Sequence, residues 1–432
     1  MRYGGDPMKL VSYWLDTAEP AGDFRRTELP SRADVVVVGA GLTGLSTAVH
    51  LARRGAEVAL VDAHTVGWGA SGRNGGMATT GLAISFATAV RRYGAGPATA
   101  MFRAYNEAID TVEELVTQEG IACDFERSGK LTLACKPAHY REFAASAELM
   151  GSLAGQEVRL VPPSRIREEI GSSYYHGAMV DPLGAGVHVG RLTAGLAGAA
   201  AARGVCLHEE APVRELIRRG PHAHDVRTDR GTIRAGQVVI ATSGYTGGLI
   251  PWLRRRIVPV GSFIIVTEPL RQAVADELLP RRRVASDSKH LLYYFRVTPD
   301  NRLLFGGRAR FSASHHDRGL RSGRILTHAM TEVFPVLAGT RVDYCWGGLV
   351  DMTLDRMVHA GERDGVFYSV GYSGHGVQMA THMGKVLARV LAGEPTANPW
   401  RDLAFRAVPG HVGPPWFLPP AGAFYKFLDA VS

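Results

Sequence analysis

Lysine is scarce in this chain: Lys9, Lys130, Lys136, Lys289, Lys385 and Lys426 are the only six, against 43 arginines. The formal net charge is nevertheless +8, and a basic surface can draw in nucleic acid or anionic molecules. The arginines, however, are scattered singly and in pairs, with runs only at Arg254-Arg255-Arg256 and Arg281-Arg282-Arg283. No basic motif interleaved with aromatics accompanies them, so the runs read as solvated loops and nucleic acid is not an expected partner. Cysteine is scarcer still. Cys123, Cys135, Cys206 and Cys345 lie far apart with no Cys-x-x-Cys, which excludes a disulfide framework and points to reduced thiols in an intracellular protein. No apolar run reaches the ~20 residues of a membrane span, since the longest candidate, 35–52, is broken by Gly39, Gly41, Gly44 and His50. Met1-Arg2-Tyr3-Gly4-Gly5-Asp6 lacks the charged-then-apolar pattern of a secretory leader. The expectation is a cytoplasmic protein with no membrane partner. Metal is not expected either, because His222-Ala223-His224 and His315-His316-Asp317 have no further ligands at suitable spacing. Gly371-Tyr372-Ser373-Gly374-His375 misses the last glycine of Gly-x-Ser-x-Gly, which argues against a serine hydrolase.

What is present is glycine used position by position in a chain of 432 residues, 46% of them hydrophobic, long enough for two or three domains. Val35-Val36-Val37-Val38 has the β-branched density of a strand buried on both faces. Leu45, Val49 and Ala52 then recur at helical spacing, with Gly55 placed as a C-terminal cap. Glu57 to Asp62 is a second strand, so 33–62 forms one βαβ unit. A similar stretch runs through a helix over 192–203, strands around Val213 and Val226, and Val238-Val239-Ile240. A third is the strand 366–370 followed by a helix whose Met379, Met383, Val386, Leu387 and Val390 share one face and which ends at Gly393. Residues 257–267 and 291–307 read as antiparallel strands, the latter a hairpin turning at Thr298-Pro299-Asp300-Asn301. Segments 86–118 and 137–150 read as helices covering that sheet, and the tail with Pro414, Pro415, Pro419 and Pro420 as coil.

Gly39-Ala40-Gly41-Leu42-Thr43-Gly44 is Gly-x-Gly-x-x-Gly placed between a buried strand and a helix, with Asp62 closing the next strand. Gly39 permits the tight turn, Gly41 lets backbone approach a pyrophosphate, and Gly44 lets helix and strand pack closely. Asp62 is placed to accept from a ribose hydroxyl. Leu42 and Thr43 open the helix whose N-terminus faces the phosphates. Ser71-Gly72-Arg73-Asn74-Gly75-Gly76 supplies glycine backbone and donors near the same ligand. Gly374-His375-Gly376 brings bare backbone to another helix N-terminus, where negative charge is stabilised. Together these suit one long, enclosed dinucleotide.

Four segments then become specific: Ser12-Tyr13-Trp14-Leu15-Asp16-Thr17, Gly69-Ala70-Ser71-Gly72-Arg73-Asn74-Gly75-Gly76, Trp346-Gly347-Gly348-Leu349-Val350-Asp351-Met352-Thr353, and Gly371-Tyr372-Ser373-Gly374-His375-Gly376-Val377. The chain resembles the D-amino-acid-oxidase-type FAD-dependent oxidoreductases over residues 11 to about 425, and is most similar to their γ-glutamylputrescine oxidoreductase branch. The resemblance implies an α/β Rossmann-like FAD-binding domain plus an α+β substrate domain with an antiparallel sheet, a glutathione-reductase/D-amino-acid-oxidase-like two-domain fold. The expected division is 30–85, 155–248 and 345–395 for the FAD domain and 86–154 with 249–344 for the substrate domain, flanked by an extension at 1–29 and a tail at 396–432. It implies FAD contacts at Val213, Gly348, Val377 and Gln378 besides the glycine-rich segments, and oxidation of a carbon–nitrogen bond by hydride transfer to the flavin.

Departures from the wider family narrow the reading. Covalently flavinylated sarcosine oxidases carry a cysteine where this chain has Gly348, so FAD is expected to be non-covalent, with Cys345 the nearby thiol. Their carboxylate-holding lysine falls at Gln378 and their oxygen-reactive lysine near Leu304. The electron acceptor is therefore oxygen or another molecule. An amine must lose its proton before a hydride leaves the adjacent carbon, and aromatic walls favour that while attracting the amine. Tyr293, Tyr294, Phe295 and Tyr372 are the candidate walls, and Arg296 is the candidate anchor for a γ-glutamyl carboxylate. His375 joins Tyr293, Arg296 and Tyr372 as expected catalytic residues. The expectation is oxidation of a small-molecule primary amine, such as a γ-glutamylated polyamine, to an imine that hydrolyses to aldehyde. The alternatives are a secondary-amine or amino-acid oxidase or dehydrogenase, and more remotely a non-redox, basic nucleotide- or RNA-binding protein.

Overall fold

In the computed structural model, which describes residues 8–307, 319–413 and 415–431, the valine run 35–38 is a buried central strand. Its strand, Arg32–Val38, pairs in parallel with Val58–Val61 on one side and Gly231–Ile240 on the other. Cys206–His208 and Val366–Val370 extend the parallel sheet at its two sides. His359–Arg363 closes one edge antiparallel, and the hairpin Val213–Gly220/Ala223–Thr228 branches from Gly231–Ile240. Helices Leu42–Ala52, Val189–Ala202 and Gly376–Leu391 bury their apolar faces in the core beside this sheet. Parallel strands buried on both sides need such crossovers, and the expected βαβ unit, with Gly55 at a positive φ of 85°, is formed.

The second sheet has eight strands, ordered Val342–Met352, Val258–Thr267, Leu303–Gly307, Tyr293–Val297, Val284–Asp287, Lys130–Leu133, Ala178–Asp181 and Arg159–Val161. All neighbours are antiparallel except Val284–Asp287 beside Lys130–Leu133. The expected hairpin turn forms, with Asn301 N–H donating to the Thr298 carbonyl at 2.9 Å. Helix Gly319–Val333 packs on one face of the sheet. The α/β plus α+β architecture expected from the sequence is the one observed.

Several expectations change. Arg159–Val161 and Ala178–Asp181 hydrogen-bond into the second sheet, as does the strand Val342–Met352, so residues 155–181 and the first part of 345–395 do not lie in the first sheet. Helix Ala95–Gln118 does not cover the second sheet; its buried face packs against Gly376–Leu391. The proline-rich tail is partly helical, over Leu418–Val431, because prolines at the second and third positions of a helix lack only N–H groups that have no intrahelical partner. The arginine runs are not simply solvated. Arg256 lies 4.1 Å over the Trp252 ring and donates to the Phe405 carbonyl, and Arg283 pairs with the buried Glu169. The four cysteines are free. Among the described residues no helix is long and apolar enough to cross a membrane and no group of three metal-ligating side chains gathers. His315, His316 and Asp317 lie outside the described residues.

Helices Leu42–Ala52 and Gly376–Leu391 meet through small residues. Ser46 Oγ donates to the Thr381 carbonyl at 2.6 Å, and a Cβ on Gly384 would stand 2.5 Å from the Ser46 Cβ and 2.7 Å from the Thr47 nitrogen. Gly384→Ala is therefore expected to destabilise the protein by about 1–3 kcal/mol despite alanine's better helix propensity. Urea unfolding checks this: a midpoint equal to or above wild type would contradict the close packing.

Candidate active site

The glycine turn opens a cavity of about 770 Å³ between the two sheets, within the range of sites that enclose small molecules. Gly39 takes a φ of 114° and Gly44 packs where a Cβ would lie 1.8 Å from the Gly39 carbonyl oxygen, so the turn and the close helix–strand approach both require glycine. Gly41 faces Ser71: its Cβ would stand 2.8 Å from Ser71 Oγ, which accepts from the Leu42 N–H at 2.9 Å. Asp62 lines the cavity and ties this turn to the second strand, its carboxylate accepting the N–H groups of Ala40 and His64, both at 2.7 Å. Burial raises its pKa, and each oxygen keeps a lone pair for a further donor. Val213, Leu42 and Thr43 line the same end.

The loop 69–76 is held from behind by the N-terminal helix Tyr13–Asp16. Trp14 Nε1 donates to the Asn74 carbonyl at 2.7 Å and Ser12 Oγ to the Gly72 carbonyl. Ser71, Arg73, Asn74 and Gly75 line the cavity, whereas Gly72 does not; its Cβ would meet the Gly67 oxygen at 2.4 Å, so it serves packing rather than the ligand. Arg73 donates to the Trp68 carbonyl at 2.7 Å and lies 5.0 Å over the Trp68 ring. Gly348 lines the cavity beside Arg73. Cys345 does not, and its thiol donates to the Gly319 carbonyl at 3.4 Å.

At the far wall Gly374, His375, Gly376 and Val377 open the helix Gly376–Leu391 onto the cavity. A Cβ on Gly374 would meet nothing within 4 Å, which marks open space beside its backbone. His375 is half-buried with a buried, unpartnered Nδ1, and desolvation, helped by the charge of Lys130, pushes its pKa down to about 3. A neutral imidazole with a free nitrogen at a helix N-terminus is suited to a polar, electron-accepting ligand. Glycine backbone, orphaned nitrogen and open space together fit the flavin end of FAD, as Asp62 and the glycine turn fit its nucleotide end.

Two of the residues expected to act on substrate, Tyr293 and Arg296, do otherwise, while Tyr372 lines the cavity as expected of a wall. Tyr293 is on the wrong face of its strand: it packs against Phe305 at 5.2 Å between ring centroids and under Lys289 Nζ at 3.7 Å. Tyr294, one residue on, lines the cavity in its place. Arg296 is fully buried with its guanidinium donating to the carbonyls of Gly76 and Val187, so it clamps the loop instead of holding a carboxylate. Tyr372 lines the cavity, but its hydroxyl is engaged with Thr43 Oγ1 at 2.7 Å and Ser369 Oγ at 3.0 Å, making it a positioning residue. Gln378 does not reach the cavity either; it is buried behind Thr79 and donates to the Thr79 carbonyl. Phe295 is core, stacked on Phe305, and Leu304 is core as well.

Two residues without a role in the sequence reading emerge. Lys130 begins the strand Lys130–Leu133 and lines the cavity; its rarity and its place before alternating apolar residues are the only local signals. Asp351 lines the cavity and accepts from the backbone N–H groups of Gly371 and Tyr372 at 2.7 and 3.3 Å. Burial drives its pKa up to about 6.

A family model described as FAD dependent oxidoreductase matches residues 34–390. The γ-glutamylputrescine oxidoreductase of Escherichia coli is 32% identical over 385 residues, covering 89% of each chain. Glycine oxidase of Geobacillus kaustophilus is 28% identical over 399 residues, 88% of this chain and 98% of that one. Among solved structures, L-proline dehydrogenase from P. horikoshii superposes with a TM-score of 0.71 at 20% identity, over 86% of this chain and 98% of that one; this similarity concerns the fold.

Gly41→Val is expected to displace Ser71 and yield folded protein without bound flavin, read as loss of the visible absorbance band with an unchanged far-ultraviolet circular dichroism spectrum; a fully yellow variant would contradict the assignment. Asp351 gives a pH signature. A carboxyl whose pKa is raised from 3.8 to about 6 in the folded state costs stability as pH rises through that window. Relative to wild type, Asp351→Asn should gain roughly 3 kcal/mol of unfolding free energy between pH 4 and 6, and a pH-independent difference would refute this.

Proposed function

The chain belongs to the DAO family of FAD-dependent oxidoreductases, and from that premise we propose that it oxidises the primary amine of a γ-glutamylated polyamine to an imine, which water converts to an aldehyde. The observation that supports this reading is one cavity lined from both sheets. It runs from Asp62 and Val213 past His375 to Ser262, Ser286 and Tyr294 of the second sheet, with Leu292 beside them, so a substrate would enter from the side opposite the glycine turn. The similarity to the Escherichia coli enzyme supports the choice of amine.

When bound, the flavin supplies the hydride acceptor and carries the redox step. The chain's own groups prepare the amine for it. Leu292, Met77 and the Tyr294 ring line the cavity and exclude water, which disfavours an ammonium and favours the neutral amine that can release a hydride. The Tyr294 hydroxyl is within 3.1 Å of Ser262 Oγ, and Gly306 makes room for the ring, since a Cβ there would stand 2.3 Å from Tyr294 Cζ. Neutral His375 adds no positive charge to repel an amine, while its unpartnered Nδ1 remains available to hydrogen-bond the flavin. The backbone N–H groups opening Gly376–Leu391 stabilise negative charge placed against them. Oxygen or another molecule would be the final electron acceptor.

Anaerobic mixing of the yellow protein with γ-glutamylputrescine, putrescine, monoamines, sarcosine and D-amino acids tests the proposal through the visible flavin band. Bleaching fastest by γ-glutamylputrescine is expected. Bleaching only by sarcosine or D-amino acids would move the enzyme to the amino-acid oxidases and overturn it.

A further inference from the structure

We propose that the ammonium of Lys130 anchors a carboxylate of the substrate, so that the enzyme selects amines whose carbon chain also carries an anionic group. The inference rests on the amine-oxidation reading above and names the feature of the substrate that this site recognises.

Lys130 is half-buried and lines the cavity. Its Nζ donates to the Thr80 carbonyl at 3.0 Å, leaving further ammonium protons without an acceptor among the described residues. No carboxylate of those residues is within ion-pair distance. Asp181 sits opposite it in the neighbouring strand, but its oxygens accept from Thr80 Oγ1 at 2.8 Å, Gln156 Nε2 at 2.9 Å and the Leu183 N–H at 2.9 Å. An ammonium in such a place is costly to keep, and desolvation holds its pKa below the ordinary lysine value. A carboxylate brought by a ligand offsets that cost and restores the charge.

The other basic side chains lining the cavity each have a partner within the protein. Arg73 is held by the Trp68 carbonyl and ring. Arg214 forms a two-point pair with Asp229, and His64 stacks on Trp68 at 3.8 Å. The two residues that the sequence offered for a carboxylate, Arg296 and Gln378, are bound to backbone carbonyls outside the cavity. Among the described lining residues from the second sheet, Lys130 is the cation, beside Ser262, Ser286 and Tyr294. The cavity's carboxylates, Asp62 after a strand of the first sheet and Asp351 on the edge strand of the second, five places from the strand of Lys130, are engaged by backbone N–H groups. A free diamine would therefore bring only a second ammonium towards Lys130, whereas a γ-glutamyl head brings a carboxylate alongside its own ammonium.

The test uses holoenzyme of wild type, Lys130→Met and Lys130→Arg, each checked for flavin content. Titration with glutarate, which has carboxylates but no amine, is followed by perturbation of the visible flavin band and needs no turnover. The expected result is a Kd weakened about tenfold to hundredfold in Lys130→Met and less in Lys130→Arg. In anaerobic reduction the half-saturating concentration of γ-glutamylputrescine should rise by a similar factor in Lys130→Met, while that of N-acetylputrescine, an amine without a carboxylate, should not change. Failure of wild type to bind glutarate, equal binding by wild type and Lys130→Met, or equal losses for both amines would overturn the inference. Glutarate binding that depends on Lys130 in an enzyme reduced better by N-acetylputrescine than by γ-glutamylputrescine would overturn the γ-glutamyl reading and leave the carboxylate anchor standing.

Discussion

The carboxylate of Asp351 joins the two halves of the molecule. It is carried by Val342–Met352, a strand of the second sheet, and it accepts the N–H groups of Gly371 and Tyr372, where the chain leaves the last parallel strand of the first sheet. The next few residues build the wall of the site: Tyr372 braced on Thr43, the open backbone of Gly374, the unpartnered Nδ1 of His375 and the start of the long helix. Loss of those two hydrogen bonds would free the turn from the sheet that bears the substrate end. A buried carboxylate with a raised pKa is an expensive fastener, and its retention between two sheets is understandable because it fixes their relation.

The cradle for the nucleotide was legible because it is local. A β-branched strand, a glycine turn, a helix and an acidic residue at the end of the next strand lie within one βαβ unit, and each glycine is required by a contact close to that unit, as Gly44 is by the Gly39 carbonyl. The substrate end was not legible for the opposite reason. Lys130 reaches the cavity only because its strand pairs with Val284–Asp287 and Ala178–Asp181, partners far along the chain that no local pattern specifies. Tyr293 and Tyr294 show the smallest form of the same difficulty. In Tyr293-Tyr294-Phe295-Arg296 every residue is bulky, so the alternation that normally tells one strand face from the other is silent. Pairing with Gly306 and Gly307 decides that the second tyrosine faces the cavity.

The abundance of arginine acquires a structural meaning. Arg73, Arg256, Arg296 and Arg302 each donate to main-chain carbonyls, and three of the four tie together segments distant in sequence, a use suited to a rigid planar group with five donors. Arg296 is the instructive case. An arginine that follows three aromatics reads in sequence as a substrate anchor, yet its guanidinium satisfies the Gly76 and Val187 carbonyls, groups that must find donors once buried.

This division of labour has a consequence for specificity. The end around the glycine turn is built chiefly from backbone and glycine, which tolerate little change because a Cβ on Gly39 or Gly44 would clash with backbone and one on Gly41 with Ser71. The substrate end is built from alternate side chains on strands whose backbone pairing is indifferent to what they carry. Substitution there can change charge or shape without disturbing the cradle. In this chain the glycine turn of the first sheet lines one part of the cavity and side chains of the second sheet line another, so the two parts rest on different backbone and can vary separately.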